Sequence, residues 1–318
     1  MNLKHFTAML LIVLGSACVA QPTSIDQTAT ATFAQRPETL KKLYLDAKDL
    51  RESGQLDAAL NKAEGLLSLL PANQADNREA TLFLIGRIHE DAKRSEKAAP
   101  FYQELLGMEE NRLGVDHLQL SDTLFFLAGS YVSSANYSEA EKLYIRLIDI
   151  RQKSGRWPIA LEEPMYALVN LYHLQDRIDD TERVVRGLIE LVGNHFIQAG
   201  IKGDYSINAR QSLGAVMLRR GNIKEAIHLH VDSLTRIDLK FEEAQASSLG
   251  IGQGILEQSI ECLDRLARLH QLDQNETEAK QFSKKAQSLR SRLPAKLINI
   301  RRPLSWGQSI LPLEPNVK

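Results

Sequence analysis

The residues that could do chemistry in this 318-residue chain are few, and their spacing decides what they could do. His228 and His230 are two apart. On a helix they point in different directions and cannot chelate a metal as an i, i+4 pair could. His89-Glu90 is half of a zinc-protease motif and lacks the second histidine. Gly250-Ile251-Gly252-Gln253-Gly254 has part of the spacing of a phosphate loop, but no strand precedes it and the third glycine is misplaced. Glu162-Glu163, beside Pro164, reads as the acidic start of a helix rather than a catalytic pair. Cys262 follows an apolar-periodic pattern and reads as a small core residue, not a nucleophile. No Gly-x-Ser-x-Gly elbow is present. No catalytic residue, metal ligand or cofactor site is nominated, and the expectation is a protein that is not an enzyme.

The elements beneath these residues are helical. In the stretch from Leu124 to Ile150, Leu124, Leu127, Ala128 and Tyr131 fall at i, i+3, i+4, i+7, one face of a helix. Ala140, Tyr144 and Leu147 mark a second. Small residues at Ala128 and Ala140 let the two helices approach closely. The pattern recurs along the chain, with the small residue of the second helix at Ala59, Ala98, Ala140, Thr181, Ala226 and Ala279. Each pair leaves an apolar face that only a stacked neighbour can bury. Composition agrees: 43% hydrophobic, 25% charged, 6% aromatic and a formal charge of −1, far from the basic balance of a nucleic-acid binder. No internal apolar run reaches the length of a membrane span.

The two-helix unit resembles the tetratricopeptide repeat, which carries a large residue, leucine, a small residue and an aromatic in helix A, and small or aromatic positions in helix B. The first unit has Leu43, Ala47 and Leu50, then Ala59, Ala63, Leu66 and a closing Pro71, with Asp46 in the usual leucine slot. The second has Leu82, Ile85, Gly86 and His89, then Ala98, Tyr102 and Leu105. The fourth has Met165, Leu168, Val169 and Tyr172, then Val185 and Leu188. The fifth has Leu213, Gly214 and Met217. The sixth has Leu263, Leu266, Ala267 and His270, then Ala286, with Glu276 where an apolar residue is usual. In this reading His89 and His270 fill the helix-A aromatic slot as packing residues.

Marker intervals are 39, 42, 41, 45 and 53 residues, against 34 in a minimal repeat. The excess corresponds to about one more turn per helix at ~1.5 Å rise per residue, plus a longer link. Repeats of this length resemble those of kinesin light chains, and Asn111–His117 resembles the link of that subclass, with Leu118 in place of its proline. The resemblance implies an all-α, right-handed superhelical solenoid of antiparallel helix pairs. The expected organisation is a signal peptide over 1–20, a flexible linker over 21–39, six repeats over 40–293 and a tail over 294–318. The tail, with Pro303, Pro312, Pro315, Trp306 and Leu311, is expected to cap the last hydrophobic face. Glycine-containing stretches at Gly193–Ser206 and Phe241–Gly254 are expected as loops or broken helix ends.

Residues 1–20 read as a targeting segment: Lys4, then an apolar run from Phe6 to Leu14, then small residues ending at Cys18-Val19-Ala20. Its removal leaves a charge of −2 and Cys262 as the remaining thiol, so packing alone holds the fold. The expected location is periplasmic or secreted. Acylation of Cys18 would make an envelope lipoprotein instead, but Leu14 stands one position too far from it for the usual lipoprotein pattern.

The resemblance also implies that helix A lines a concave wall, faced by the fifth and ninth positions of each unit. The fifth are Tyr44, Phe83, Phe125, Tyr166, Gln211 and Asp264. The ninth are Lys48, Arg87, Gly129, Asn170, Ala215 and Arg268. Tyr44, Lys48, Phe83, Arg87, Phe125, Tyr166 and Asn170 are therefore the candidate groove for an extended peptide or partner protein. The same aromatics would equally suit packing between helices, and both readings stand. The alternatives in function are a structural envelope-assembly component using its convex face or ends, and an accessory subunit of an enzyme.

Overall fold

The computed structural model describes residues 27–71, 73–155, 159–198, 206–246 and 253–291. Among the described residues are twelve α-helices, two short 3-10 turns at Ser95–Lys97 and Leu118–Leu120, and no strand. In chain order the helices are α1 Gln27–Glu52, α2 Leu56–Leu69, α3 Ala75–Asp91, α4 Ala99–Leu113, α5 Ser121–Ser133 and α6 Tyr137–Lys153. They continue with α7 Ile159–Leu174, α8 Ile178–Gln198, α9 Ile207–Arg219, α10 Ile223–Ala246, α11 Gln253–Leu272 and α12 Glu276–Arg290. The chain divides into two units, residues 1–150 and 151–318. In the first, each of α1 to α5 packs on the next, and Tyr144 of α6 meets Phe125 of α5 at 5.8 Å. In the second, α7 to α12 pack in the same successive order.

One elbow joins helix A to helix B in all six repeats. Residues 54, 93, 135, 176, 221 and 274 have φ between +57° and +79°, at intervals of 39, 42, 41, 45 and 53, the same as the marker intervals. The residue after each elbow donates its N–H to the carbonyl five back: Gln55 to Leu50, Arg94 to His89, Asn136 to Tyr131, Arg177 to Tyr172, Asn222 to Met217 and Asn275 to His270, at 2.8–2.9 Å. This is a left-handed helix stop closed by a six-to-one hydrogen bond. Only Gly54 and Gly221 suit it without strain. Lys93, Ala135, Asp176 and Gln274 hold it with a side chain in place.

Every marker residue is buried: Ala59, Ala98, Ala140 and Ala226 are at 0% exposure, Ala279 at 1% and Thr181 at 2%. Helix A meets helix B more tightly still at two glycines. A Cβ on Gly86 would lie 2.4 Å from the Tyr102 ring, and one on Gly214 would lie 2.4 Å from the His230 ring. His89 stacks on Phe101 at 5.6 Å and His270 on Phe282 at 5.3 Å, so the two slot histidines pack as aromatics. The odd Asp46 of the first repeat is half-buried and accepts from Lys62 of α2 at 2.7 Å.

Helix lengths refine two expectations. The glycine-containing stretches begin as helix, α8 running through Gly193 to Gln198 and α10 through Phe241 to Ala246, and each helix ends inside its stretch. An isolated glycine is tolerated inside a helix whose neighbours are good formers. The stretched 45- and 53-residue intervals are therefore largely long B helices, of 21 and 24 residues. At the start, α1 begins at Gln27, inside the expected linker, and runs through Pro37, which withdraws one N–H from the ladder. At the end, α12 buries Ala279 and Ala286 and turns Lys280, Lys284, Lys285 and Gln287 to solvent. Residues 1–26 and 292–318 lie outside the described residues, and with them the signal peptide, Cys18 and the tail.

Candidate functional site

The helix-A face of the first unit is built by α1, α3 and α5. Tyr44 of α1 is half-buried and packs in two small cores, one with Ala47, Ala59 and Ile88 and one with Leu40, Leu66 and Leu70. Burial raises its phenol above the ordinary value. Phe83 of α3 is half-buried; its ring lies 6.0 Å from Tyr102 and 5.5 Å from Phe126, edge-on to both. Phe125 of α5 is buried at 4% exposure, tucked against Phe126 and Tyr144. The aromatics of successive repeats thus do not play one role: Phe125 belongs to the core, while Phe83 keeps a partly open face.

Phe126 is the residue that the fifth-position count misses. It joins Phe83, stacks on Tyr102 at 5.9 Å, and lies under the Arg87 guanidinium, 4.2 Å from its ring centre. Such a cation over an aromatic face is worth about 0.5–2 kcal/mol. The signal was the doubled Phe125-Phe126, in which only one ring can turn inward on a helix.

The cationic members have partners in the chain. Lys48 reaches Glu52 at 3.7 Å, Arg51 reaches Asp91 at 2.5 Å, and Arg87 reaches Glu90 at 3.2 Å. Burial pushes Glu90 up to about 7, against the pull of Arg87. Near neutrality the Arg87 charge is therefore only partly offset by Glu90. The arrangement can offer a flat apolar surface, Phe83 and Phe126, edged by one guanidinium.

In the second unit Tyr166 and Asn170 of α7 are both half-buried. Tyr166 packs against the core of Val169, Val185, Leu188 and Leu213, and burial raises its phenol far above the ordinary range. Of the other chemically capable residues, His228 is exposed and His230 fully buried, as their spacing requires. Cys262 is at 0% exposure; it donates to the His230 carbonyl at 3.2 Å, and burial pushes its thiol up to about 12. A thiol so placed is a core side chain and no nucleophile at neutral pH. Among the described residues no group of three histidine, cysteine or carboxylate side chains is placed to hold a metal, and no helix is long and apolar enough to cross a membrane.

No curated protein matches the chain. Among solved structures it is similar to BtubC (BKLC) from P. vanneervenii, 13% identical over 96% of this chain and 97% of that one, with a TM-score of 0.44. The apo form of RapI is 10% identical over 92% and 98% of the two chains, with a TM-score of 0.45. The Rap conjugation gene regulator of plasmid pLS20, solved with the Phr* peptide, is 12% identical over 80% and 75%, with a TM-score of 0.46. All three scores lie under 0.5, and nothing about this chain rests on them. The family model that matches is the tetratricopeptide repeat, over residues 77–153, which spans the second and third helix pairs. Those two pairs share their elbow and their buried marker with the other four, so residues 77–153 carry tetratricopeptide repeats and the flanking pairs repeat their architecture.

Proposed function

We propose that the chain is an exported, non-enzymatic scaffold that holds an extended peptide or a partner protein against its helix-A face. The observation that carries this reading is the surface of Phe83, Phe126 and Arg87, where two half-buried rings from successive repeats meet at 5.5 Å beside a stacked guanidinium. Aromatic and arginine side chains dominate the energetics of protein interfaces. A surface already ordered by packing loses little entropy on binding. Lys48 and Arg87 favour an acidic segment in the ligand, and Tyr166 and Asn170 hold the matching positions within the second unit.

The test is affinity purification of the mature protein against its own envelope fraction, followed by variants. Phe83→Ala is expected to weaken partner capture by well over tenfold, because a truncated aromatic anchor costs about 2 kcal/mol. Arg87→Gln is expected to slow association and reduce its salt sensitivity. A Phe83→Ala protein that melts lower yet captures its partner unchanged would make Phe83 a core residue and end the reading. Export rests on residues 1–20 and is tested separately by mass spectrometry. The expected species is shortened by about twenty residues; Met1 on the dominant species would reject cleavage, and a lipid on Cys18 would replace a soluble exported protein by an anchored one.

A further inference from the structure

Counting from the small marker of helix B, two slots face each other in the first and fifth repeats: nineteen residues before it on helix A and eleven after it on helix B or at its end. In the first repeat they hold Leu40 and Leu70, which share one core with Leu66. In the fifth they hold Ile207 and Ile237, which share one core with Cys262 and Leu266. In the second repeat the same two slots hold Glu79 and Glu109, at 3% and 4% exposure. Two carboxyl groups therefore stand where the first and fifth repeats place aliphatic side chains.

One guanidinium serves them. Arg112 grips Glu79 with both arms, Nε to Oε1 at 3.1 Å and Nη2 to Oε2 at 2.6 Å. That pair is neutral, so Arg112 compensates Glu109 only in part. Thr123 of α5 donates to Glu109, but its Oε2 has no hydrogen-bond partner. The other charged groups facing the cluster are acidic: Asp76 from α3 and Asp122 from α5. On α4 itself, Glu110 is engaged by Arg146 at 2.7 Å. A buried carboxyl in such surroundings holds its proton, because ionising it would place an only partly compensated charge in the core.

We propose that Glu79, Glu109 and Arg112 form a proton-gated brace at the base of the second repeat: with Glu109 protonated α3, α4 and α5 close on one another, and loss of that proton loosens them. Burial pushes Glu109 up to about 7, so the gate opens near neutrality. The sign is fixed by linkage. Between the ordinary carboxyl value of 4.5 and about 7 the folded state binds more proton than the unfolded one, so stability falls as pH rises through that window. Phe83, Arg87 and Phe126 ride on α3 and α5, so the brace couples the helix-A face to ambient pH.

The experiment is hydrogen exchange of the full chain at pH 5 and pH 8, corrected for intrinsic rates, in a Glu90→Gln background that removes the other raised carboxyl of this unit. Amides of α3, α4 and α5 around residues 79, 109 and 123 are expected to exchange at least about tenfold faster at pH 8, because a proton held more tightly by the folded state weakens it about tenfold for each pH step climbed between the two carboxyl values. Glu109→Gln, which cannot ionise, is expected to erase that difference and keep the slow rates at both pH values. A difference that persists in Glu109→Gln, or none in the Glu90→Gln parent, overturns the proposal. Should Glu109→Gln fold poorly, Glu109→Leu restores the aliphatic slot of the first and fifth repeats. A carbon-13 titration of the Glu109 carboxyl then decides independently: a midpoint near the ordinary value sinks the brace.

Discussion

The second and fifth repeats solve one packing problem with different chemistry. Each has a glycine in helix A, Gly86 or Gly214, and a ring four residues past the helix-B marker, Tyr102 or His230, lying over it. In the first unit the ring is a phenol wedged among Phe83, Phe126 and the raised carboxyl of Glu90. In the second it is an imidazole whose Nδ1 lies 2.9 Å from the Ala226 carbonyl and whose Nε2 has no partner. Burial, with Arg265 nearby, pushes His230 down to about 4. The same steric device therefore carries opposite proton linkage in the two units.

The largest effects attack the shared device. Gly86→Ala places a Cβ 2.4 Å from Tyr102, and Gly214→Ala meets both the His230 ring and the Ala226 carbonyl oxygen at 3.4 Å. Each is expected to cost about 2–3 kcal/mol by chemical denaturation, because neighbouring rings or backbone leave nowhere to move. Gly214→Ala is expected to be the worse of the two. A midpoint unchanged by either substitution would mean that the close approach is not maintained in solution.

Next come the pH effects, which sharpen the comparison. His230 binds less proton in the folded state, so the second unit loses stability as pH falls from 6.5 through about 4. His230→Phe keeps a ring over Gly214 and is expected to abolish that acid loss in a pH series of thermal melts. Glu90 has the reverse sign, with stability lost as pH rises from 4.5 through about 7, and Glu90→Gln is expected to flatten that limb. Each of the two displaced titrations corresponds to roughly 1–3 kcal/mol across its window. If both variants leave both limbs unchanged, the two rings differ in shape alone.

Of similar size is Ala140→Leu at the α5–α6 contact, expected to cost on the order of 1–3 kcal/mol. A midpoint unchanged by the substitution would place Ala140 on the surface. The smallest effects lie at the elbows. Ala135→Gly relieves a left-handed residue in the first unit and is expected to raise stability by about 1 kcal/mol in denaturant titrations. Asp176→Gly at the same place in the second unit also loses the carboxylate that accepts from Arg219, so its net change is expected near zero.

Much of the fold was legible because the small helix-B residue is demanded by backbone proximity, and Ala59, Ala98, Ala140, Thr181, Ala226 and Ala279 cannot be large. The elbows were half legible. Glycine announces the left-handed turn at Gly54 and Gly221, but Lys93, Ala135, Asp176 and Gln274 carry no such signature, because tertiary packing forces the turn on them. Helix ends near Gly193 and Phe241 were legible only to within a turn or two, because α8 and α10 each run about six residues into their stretch before ending. On the candidate surface, a position count chose Phe125 over Phe126, and only the packing of Tyr102 and Tyr144 tells which ring turns inward. Glu79 and Glu109 were invisible as a pair because thirty residues separate them and neither interrupts an apolar run.

The constancy of the elbow has a consequence for how this chain can change. The bend from one helix into its partner keeps one hydrogen-bond pattern in six copies, while the length from one bend to the next ranges from 39 to 53 residues. Variation is thus admitted between the bends, in the trailing arm of helix B, the link to the next pair and the start of the next helix A. A graft, tag or loop insertion placed after residue 113 or after residue 246 lengthens a spacer of a kind this chain already varies. The same insertion at residue 93 or 135 would unlock a joint that sets the geometry of two helices together.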